Sequence, residues 1–162
     1  KTSSDYVGTQ IGTSRDYADE GQSSLALQAE FPGDRWTSVY AEREVEVTDW
    51  GAFSAISVSL YLPADAPAGL RGRIILTVGD QWTWTEMNKG IPLEPGQWIT
   101  MTANLKPGSM SWKFFPDESF RKDVRKLGIR IESDTQPGDA GPDYQRPAYR
   151  GPVFVDHVRL GE

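Results

Sequence analysis

The sequence predicts an all-β fold: an antiparallel β-sandwich, jelly roll or related barrel. Apolar residues recur with a period of two in short runs, which is typical of strands that bury one face. Glycine, proline and aspartate cluster between these runs and indicate turns. The chain has 162 residues, close to the usual size of one domain, so we expect residues 1–162 to form a single domain.

The alternating runs are spread over the whole chain and predict eight to ten short strands. The clearest run is Ile56, Val58, Leu60 and Leu62, and the others are Leu25/Leu27/Ala29, Val45/Val47, Ile74/Leu76/Val78, Ile129/Ile131 and Val153/Val155/Val158. One helical pattern, of at most two turns, joins Phe120, Val124 and Leu127 after a capping Asp117 or Ser119. A long polar loop is predicted over residues 133–150.

Composition excludes several classes of chemistry. Without cysteine there is no thiol nucleophile, disulfide or cysteine-ligated zinc, and the single histidine, His157, leaves little for a catalytic triad. A net charge of −6 argues against nucleic acid as a partner. No apolar run is long enough for a membrane-spanning helix. Because Lys1 is not a start methionine, we expect a module cut from a longer polypeptide.

Aromatic residues are the main functional signal. The chain contains six Trp, six Tyr and six Phe, and several stand in or beside turn segments, where a buried strand does not place them. Exposed rings are costly unless a ligand covers them, and the C–H faces of a pyranose suit that role. The candidate stacking residues are Trp36, Trp82, Trp84, Trp112 and, as a rim contact, Tyr149.

The same rings also fit a structural role, so both interpretations stay open for several of them. Trp50 and Trp98 stand directly before apolar strands, and we expect both in the core. Trp36, Trp82 and Trp112 fit the core and the surface equally well. Trp84 shares parity with Leu76, which favours the core, but the intervening Gly79-Asp80 turn is able to reset that parity.

Charged residues on one predicted strand provide possible partners for sugar hydroxyls. Arg130 and Glu132 point away from the face that carries Ile129 and Ile131. They are candidates for charged hydrogen bonds to a glycan. A solvated outer face is the equally good alternative.

A second cluster suggests a metal. Asp19, Glu20 and Gly21 form an acidic turn before an early strand, and Asp156 interrupts the last apolar run. Calcium binds oxygen ligands from carboxylates and carbonyls, which such a turn facing Asp156 offers. The alternative places Asp156 on the wet face of its strand. We expect His157 to point to the opposite face, because neighbours in a strand alternate, so the two form no catalytic dyad.

The order of several short motifs resembles that of jelly-roll carbohydrate-binding modules. Residues 21–27 (GQSSLAL) are similar to their second strand, and residues 50–63 (WGAFSAISVSLYLP) to a later aromatic-Gly segment. Residues 78–84 (VGDQWTW) with 95–100 (PGQWIT), and 127–131 (LGIRI) with 149–156 (YRGPVFVD), resemble the remaining motifs. Within this group the chain looks most like the family 27 mannan-binding modules of β-mannanases.

This resemblance implies a galactose-binding-like jelly roll with a sugar-binding face and a structural Ca²⁺. By position, Asp156, Asp19 and Gly21 match the places from which calcium ligands arise, while His157 stands where Asn or Asp is usual. The implied partner is a β-mannan or related β-glycan. The implied setting is a secreted, extracellular protein with a covalently attached glycoside hydrolase domain.

The function hypothesis is therefore a non-catalytic module that binds β-linked polysaccharide, preferably mannan or glucomannan, in an aromatic-lined groove. Stacking recognises the faces of sugar rings and does not distinguish one sugar from another. The preference for mannan over glucan and xylan therefore rests on the resemblance alone. Two alternatives remain: a glycan-cleaving jelly-roll enzyme, which needs two facing carboxylates or a Tyr/His pair, and a sandwich that uses its aromatic residues to bind a protein.

Overall fold

The computed structural model describes residues 5–114, 117–134, 141 and 143–162. In these residues ten strands build two sheets: β1 (Gly8–Ser14), β2 (Ser24–Pro32), β3 (Ser38–Glu44), β4 (Ala55–Tyr61), β5 (Leu70–Val78), β6 (Thr83–Glu86), β7 (Ile91–Pro92), β8 (Trp98–Asn104), β9 (Val124–Ser133) and β10 (Ala148–Gly161). The first sheet has the order β1-β2-β10-β4-β8. The second has the order β3-β9-β5-β6, with β7 also paired to β5.

All of these strand pairs are antiparallel, which confirms the predicted antiparallel β-sandwich. The core lies between the sheets and joins inward side chains from both, such as Ile56, Val58 and Leu60 of β4 with Ile74 of β5 and Ile131 of β9. These side chains follow the period-two pattern because alternate residues of a strand face opposite sides of a sheet. The sandwich thus leaves each sheet one outer face.

The predicted helix after Asp117 is wrong. Only Phe120–Lys122 forms a 3₁₀ turn, and β9 begins at Val124. The Oδ1 of Asp117 accepts the backbone N–H groups of Ser119 and Phe120 at 2.9 and 3.0 Å, as a cap does. The helix does not continue because Val124 pairs with Val78 and is fully buried there, so sheet pairing replaces helical hydrogen bonds.

Two further expectations need adjustment. β3 ends at Glu44, so the predicted strand at Val45 and Val47 does not form, and Val47 is exposed. The long polar loop is shorter than residues 133–150 because β9 extends to Ser133 and β10 begins at Ala148. Residues 135–140 and 142 of that loop lie outside the described residues.

Among the helical segments described, none has the length and apolar character that crossing a membrane demands.

Candidate functional site

The outer face of the second sheet gathers most of the predicted glycan-binding residues. On β9, Ile129 and Ile131 point into the core, so Arg130 and Glu132 point outward, as the sequence predicts. The same alternation directs Tyr40 of β3 outward, between the inward Val39 and Ala41. Neighbouring strands therefore bring side chains that are distant in sequence onto one surface.

Two aromatic rings meet above the middle of this face. The ring centroids of Tyr40 and Trp84 are 5.3 Å apart, with planes inclined by 45°. Gly128 of β9 makes the contact possible, because a Cβ built there would stand 2.3 Å from the Tyr40 hydroxyl. Trp84 is outward because the turn after β5 resets the strand parity: Thr85, its neighbour on β6, pairs with the inward Leu76.

Two further indoles flank this pair. Trp82 is half exposed, and its ring lies 5.2 Å from the guanidinium of Arg125 and 5.6 Å from the ammonium of Lys126. Its φ of 53° is uncommon for a bulky residue, and such backbone strain is concentrated at functional sites. Trp36 lies beside Arg130 at 5.8 Å. We call Trp36, Tyr40, Trp82 and Trp84 the aromatic platform.

An ion-pair network lies beside the platform. The carboxylate of Glu132 binds Arg73 at 2.5 Å and Arg130 at 2.9 Å, while Glu86 binds Arg130 at 2.7 Å and also Lys113. Burial alone raises the pKa of Glu86, but the cations together outweigh burial and hold that pKa below its ordinary value of 4.5. We call Arg73, Glu86, Lys113, Arg130 and Glu132 the charged network.

A smaller polar group anchors the tyrosine of the platform. The hydroxyl of Tyr40 donates to Glu42 at 2.8 Å, and Lys126 binds the other oxygen of that carboxylate at 2.9 Å. Burial, followed by the bond to Glu42, raises the pKa of Tyr40, so the phenol stays neutral and keeps donating. The ring is thus fixed in orientation while its face remains on the surface of the sheet.

Sequence reasoning missed several residues of this face. Arg73, Glu86 and Lys113 carried no separate signal in the sequence, and Tyr40 carried only a weak one. The pairing of β3 with β9, and of β5 with both β9 and β6, brings Tyr40, Arg73 and Glu86 together. The backbone N–H of Lys113 donates to the Glu86 carbonyl at 3.0 Å, which places Lys113 beside them. The alternation of Val39, Tyr40 and Ala41 was the one local hint that Tyr40 faces outward.

Three predicted glycan contacts are wrong or need a different role. Trp112 is only 3% exposed: its indole donates to the Asn104 carbonyl at 2.7 Å and packs on Phe120 inside the core. Tyr149 belongs to the first sheet and packs against the core. Glu132 lies on the predicted face, but its side chain is buried and its two oxygens bind Arg73 and Arg130. It therefore holds these arginines in position and does not contact a ligand itself.

Tyr149 is held in place by its own strand. Its hydroxyl donates to the Pro152 carbonyl at 2.7 Å, and burial raises the pKa of this tyrosine to about 12.

Trp50 is buried, as predicted, but Trp98 is not in the core. It lies half-buried on the outer face of the first sheet, where its ring contacts Tyr61 at 5.4 Å.

The predicted calcium ligands meet only in part. The Oδ2 atom of Asp156 accepts the backbone N–H groups of Asp19 at 2.9 Å and Glu20 at 3.1 Å, and its Oδ1 accepts that of His157 at 2.8 Å. Gly21 follows in the same turn with a φ of 75°. Among the described residues, no three acidic, histidine or cysteine side chains are arranged to hold a metal ion.

This donor set does not fit calcium, which requires six to eight oxygens with free lone pairs. Three N–H donors occupy most of the lone-pair sites of the Asp156 carboxylate, and the ring of His157 stands near the side chains of Asp19 and Glu20. Burial raises the pKa of Asp156, but the N–H groups of Glu20, His157 and Asp19 outweigh burial, so the pKa is lowered. The calcium prediction remains untested, and no function is derived from it.

Comparison with known proteins identifies solved structures that have a similar fold. No family model and no curated protein matches the chain. One similar solved structure is a carbohydrate-binding module of the β-sandwich superfamily studied for promiscuous specificity. It has a TM-score of 0.61 at 13% identity, over 98% of this chain and 55% of that one. This chain therefore spans just over half the length of that relative.

Two other solved structures are similar over most of both chains. A family 28 module specific for non-crystalline cellulose has a TM-score of 0.58 at 16% identity, covering 93% of this chain and 80% of its own. A family 11 module from Clostridium thermocellum was solved in complex with a β-1,3-1,4-mixed-linked tetrasaccharide. It has a TM-score of 0.56 at 11% identity, covering 94% of this chain and 82% of its own. At such identities the likeness shows the fold, a β-sandwich shared with carbohydrate-binding modules.

Proposed function

We propose that the aromatic platform binds a β-linked polysaccharide without cleaving it. The observation that carries this proposal is the contact of Tyr40 with Trp84 on an open sheet face, flanked by the two further indoles. Aromatic rings on a surface are costly in water unless a ligand with apolar faces covers them. Pyranose rings offer such faces, and their hydroxyls pair with the polar groups that surround the platform.

The platform is large enough for useful affinity. Covering one aromatic face with a sugar contributes on the order of 1–3 kcal/mol. Three such contacts near the upper end of this range reach about −8 kcal/mol, which corresponds to micromolar binding. Arg130 and Lys113 keep part of their surface accessible and supply hydrogen-bond donors for hydroxyl groups. Affinity thus comes from ring faces and selectivity from the charged network.

The motif resemblance puts β-mannan or glucomannan first among the candidate ligands, ahead of mixed-linkage glucan, cellulose and xylan. We propose that the module is exported together with an attached glycoside hydrolase. Tethering the enzyme to its polymer raises the effective substrate concentration, with no catalytic group required in the module.

The enzymatic alternative finds less support on this face. A glycosidase needs one carboxylate free to donate a proton and a second free to attack or to activate water. The carboxylates of Glu42, Glu86 and Glu132 each bind cations already. A protein partner is the other alternative, and it gains support if no glycan binds in the following experiment.

Calorimetric titration with hexasaccharides of β-mannan, mixed-linkage glucan, cellulose and xylan tests the proposal. We expect saturable heat with at least one of them and no release of reducing ends. Trp84→Ala should weaken that binding by about 10-fold or more, since it removes one stacked ring. Trp98→Ala is the matched control on the opposite sheet and should leave the affinity unchanged. Absence of heat with all four sugars at millimolar concentration would refute glycan binding.

A further inference from the structure

The turn before β2 is fastened to the outer face of the first sheet at two points. The ring of Tyr17 stacks on Tyr61, with centroids 4.4 Å apart and planes 27° apart, and meets the edge of Phe154 at 5.1 Å. The carbonyl of Tyr17 accepts the hydroxyl of Ser24 at 2.7 Å. These contacts fix the start of the turn, so that Asp19 and Glu20 lie beside the distal half of β10.

The second point of attachment is the carboxylate of Asp156. It accepts the N–H groups of Asp19 and Glu20 through one oxygen and that of His157 through the other. A calcium ion attracts oxygen lone pairs and repels N–H dipoles, so the donors here face the opposite way to a calcium shell. Asp156 is therefore the anion that the backbone N–H groups of the turn bind, an arrangement unlike that of a calcium ligand.

The side chain of His157 completes the arrangement. Its Nδ1 lies 3.4 Å from an Asp19 oxygen and its Nε2 lies 3.0 Å from a Glu20 oxygen. The expected alternation of Asp156 and His157 is wrong, because the pairing of β10 with β4 shifts register between Asp156 and Arg159. His157 has a φ of 49° in that irregularity, and its ring consequently stands on the side of the acidic turn.

We propose that the imidazole of His157 takes the place of a calcium ion, so that the fold does not depend on this metal. A metal brings acidic side chains together by offering them one positive centre. Here a protein ring with two nitrogen atoms lies between the same carboxylates and links β10 to the turn directly. This inference is independent of the proposed glycan binding, because it concerns the other sheet.

The test compares melting temperatures after dialysis against EDTA and after addition of millimolar CaCl₂. We expect the wild-type temperature to be the same in both conditions and calorimetry to show no saturable calcium binding. A rise of several degrees with calcium in the wild-type protein would overturn the proposal.

Substitutions at position 157 make the test specific. Asp and Asn both tolerate a positive φ, so His157→Asp and His157→Asn keep the backbone. His157→Asp places a further carboxylate among Asp19 and Glu20; it should melt about 2–4 °C lower in EDTA and recover with calcium. His157→Asn should melt lower without a response to calcium, which keeps the test valid if the aspartate variant does not fold. Asp16→Asn, on the same turn, is the control and should melt like the wild type. If both His157 variants match the wild type in EDTA, the ring has no such role.

Discussion

The rings of Tyr40 and Trp84 lie in contact at 5.3 Å, although β3 and β6 lie at opposite edges of the second sheet. Two strands separate them, and the contact exists because Gly128 of β9 leaves room for the tyrosine to lean across. A residue without a side chain thus determines where the platform forms. The proposed function follows from this arrangement, and it can be perturbed at the glycine alone.

Gly128→Ala should weaken glycan binding while the protein stays folded. The new Cβ would stand 2.3 Å from the Tyr40 hydroxyl, so the ring of Tyr40 must shift, and its contact with Trp84 changes. We expect the affinity to fall by about 10-fold, the equivalent of one ring contact, as measured by calorimetry. Gly12→Ala is the matched control on the first sheet, where a Cβ meets nothing within 4 Å. Equal affinity of the Gly128 variant and the wild type would remove the role of the Tyr40–Trp84 pair.

Trp82→Gly should separate binding from stability. Trp82 has a φ of 53°, which glycine adopts without steric cost, and its indole is half exposed. The free energy of unfolding should therefore change by no more than about 1 kcal/mol. Glycan affinity should fall, because a flanking ring is lost. A large loss of stability in urea denaturation would show that this indole is structural.

Trp112→Ala should lower the stability of the fold and leave glycan affinity unchanged. The indole is buried, and its N–H donates to the Asn104 carbonyl. Removing it leaves a cavity and an unpaired carbonyl, at a cost of about 3–5 kcal/mol in the free energy of unfolding. In the variant that remains folded, calorimetry should give wild-type affinity, because the platform does not include this residue.

Glu132→Ala should destabilise the fold through the charged network. The substitution leaves Arg73 and Arg130 without their shared buried carboxylate, and removing one partner of such a pair costs about 3–5 kcal/mol. Glu30→Ala breaks the exposed pair with Arg150 and should cost no more than about 1 kcal/mol. Urea denaturation of both variants checks the contrast. Equal losses would mean that the network contributes no more than a surface ion pair.

Acid should weaken the protein through Glu86. Its folded pKa is lower than its ordinary value of 4.5, so the ionised form contributes stability that is fully present above that value. This contribution is lost as the pH falls from 4.5 through the lowered folded pKa. Glu86→Gln should therefore be less stable than the wild type at neutral pH, and the difference should shrink in acid. Melting curves of both proteins across this range provide the measurement, and a constant difference would contradict the prediction.

The sequence alone was sufficient for the layering of the sandwich. Whether Ile129 and Ile131 face the core, and Arg130 the outside, depends on alternation within one strand, which is a local property of extended backbone. Turn residues such as Gly79 and Asp80 likewise mark chain reversals through their own conformational preferences. The helix predicted at Val124 failed for the complementary reason, because pairing with β5 outweighed a weak local pattern.

The tertiary structure alone decided which side chains share a surface. Trp82 and Trp112 stand in similar turn-rich sequence, yet one lies on the platform and the other inside the core. Strand order brought Tyr40 to Trp84, and a shift of register turned His157 toward Asp19. Alternation describes one strand at a time, whereas these contacts depend on which strands pair and in what register, and that is set by packing across the whole sandwich.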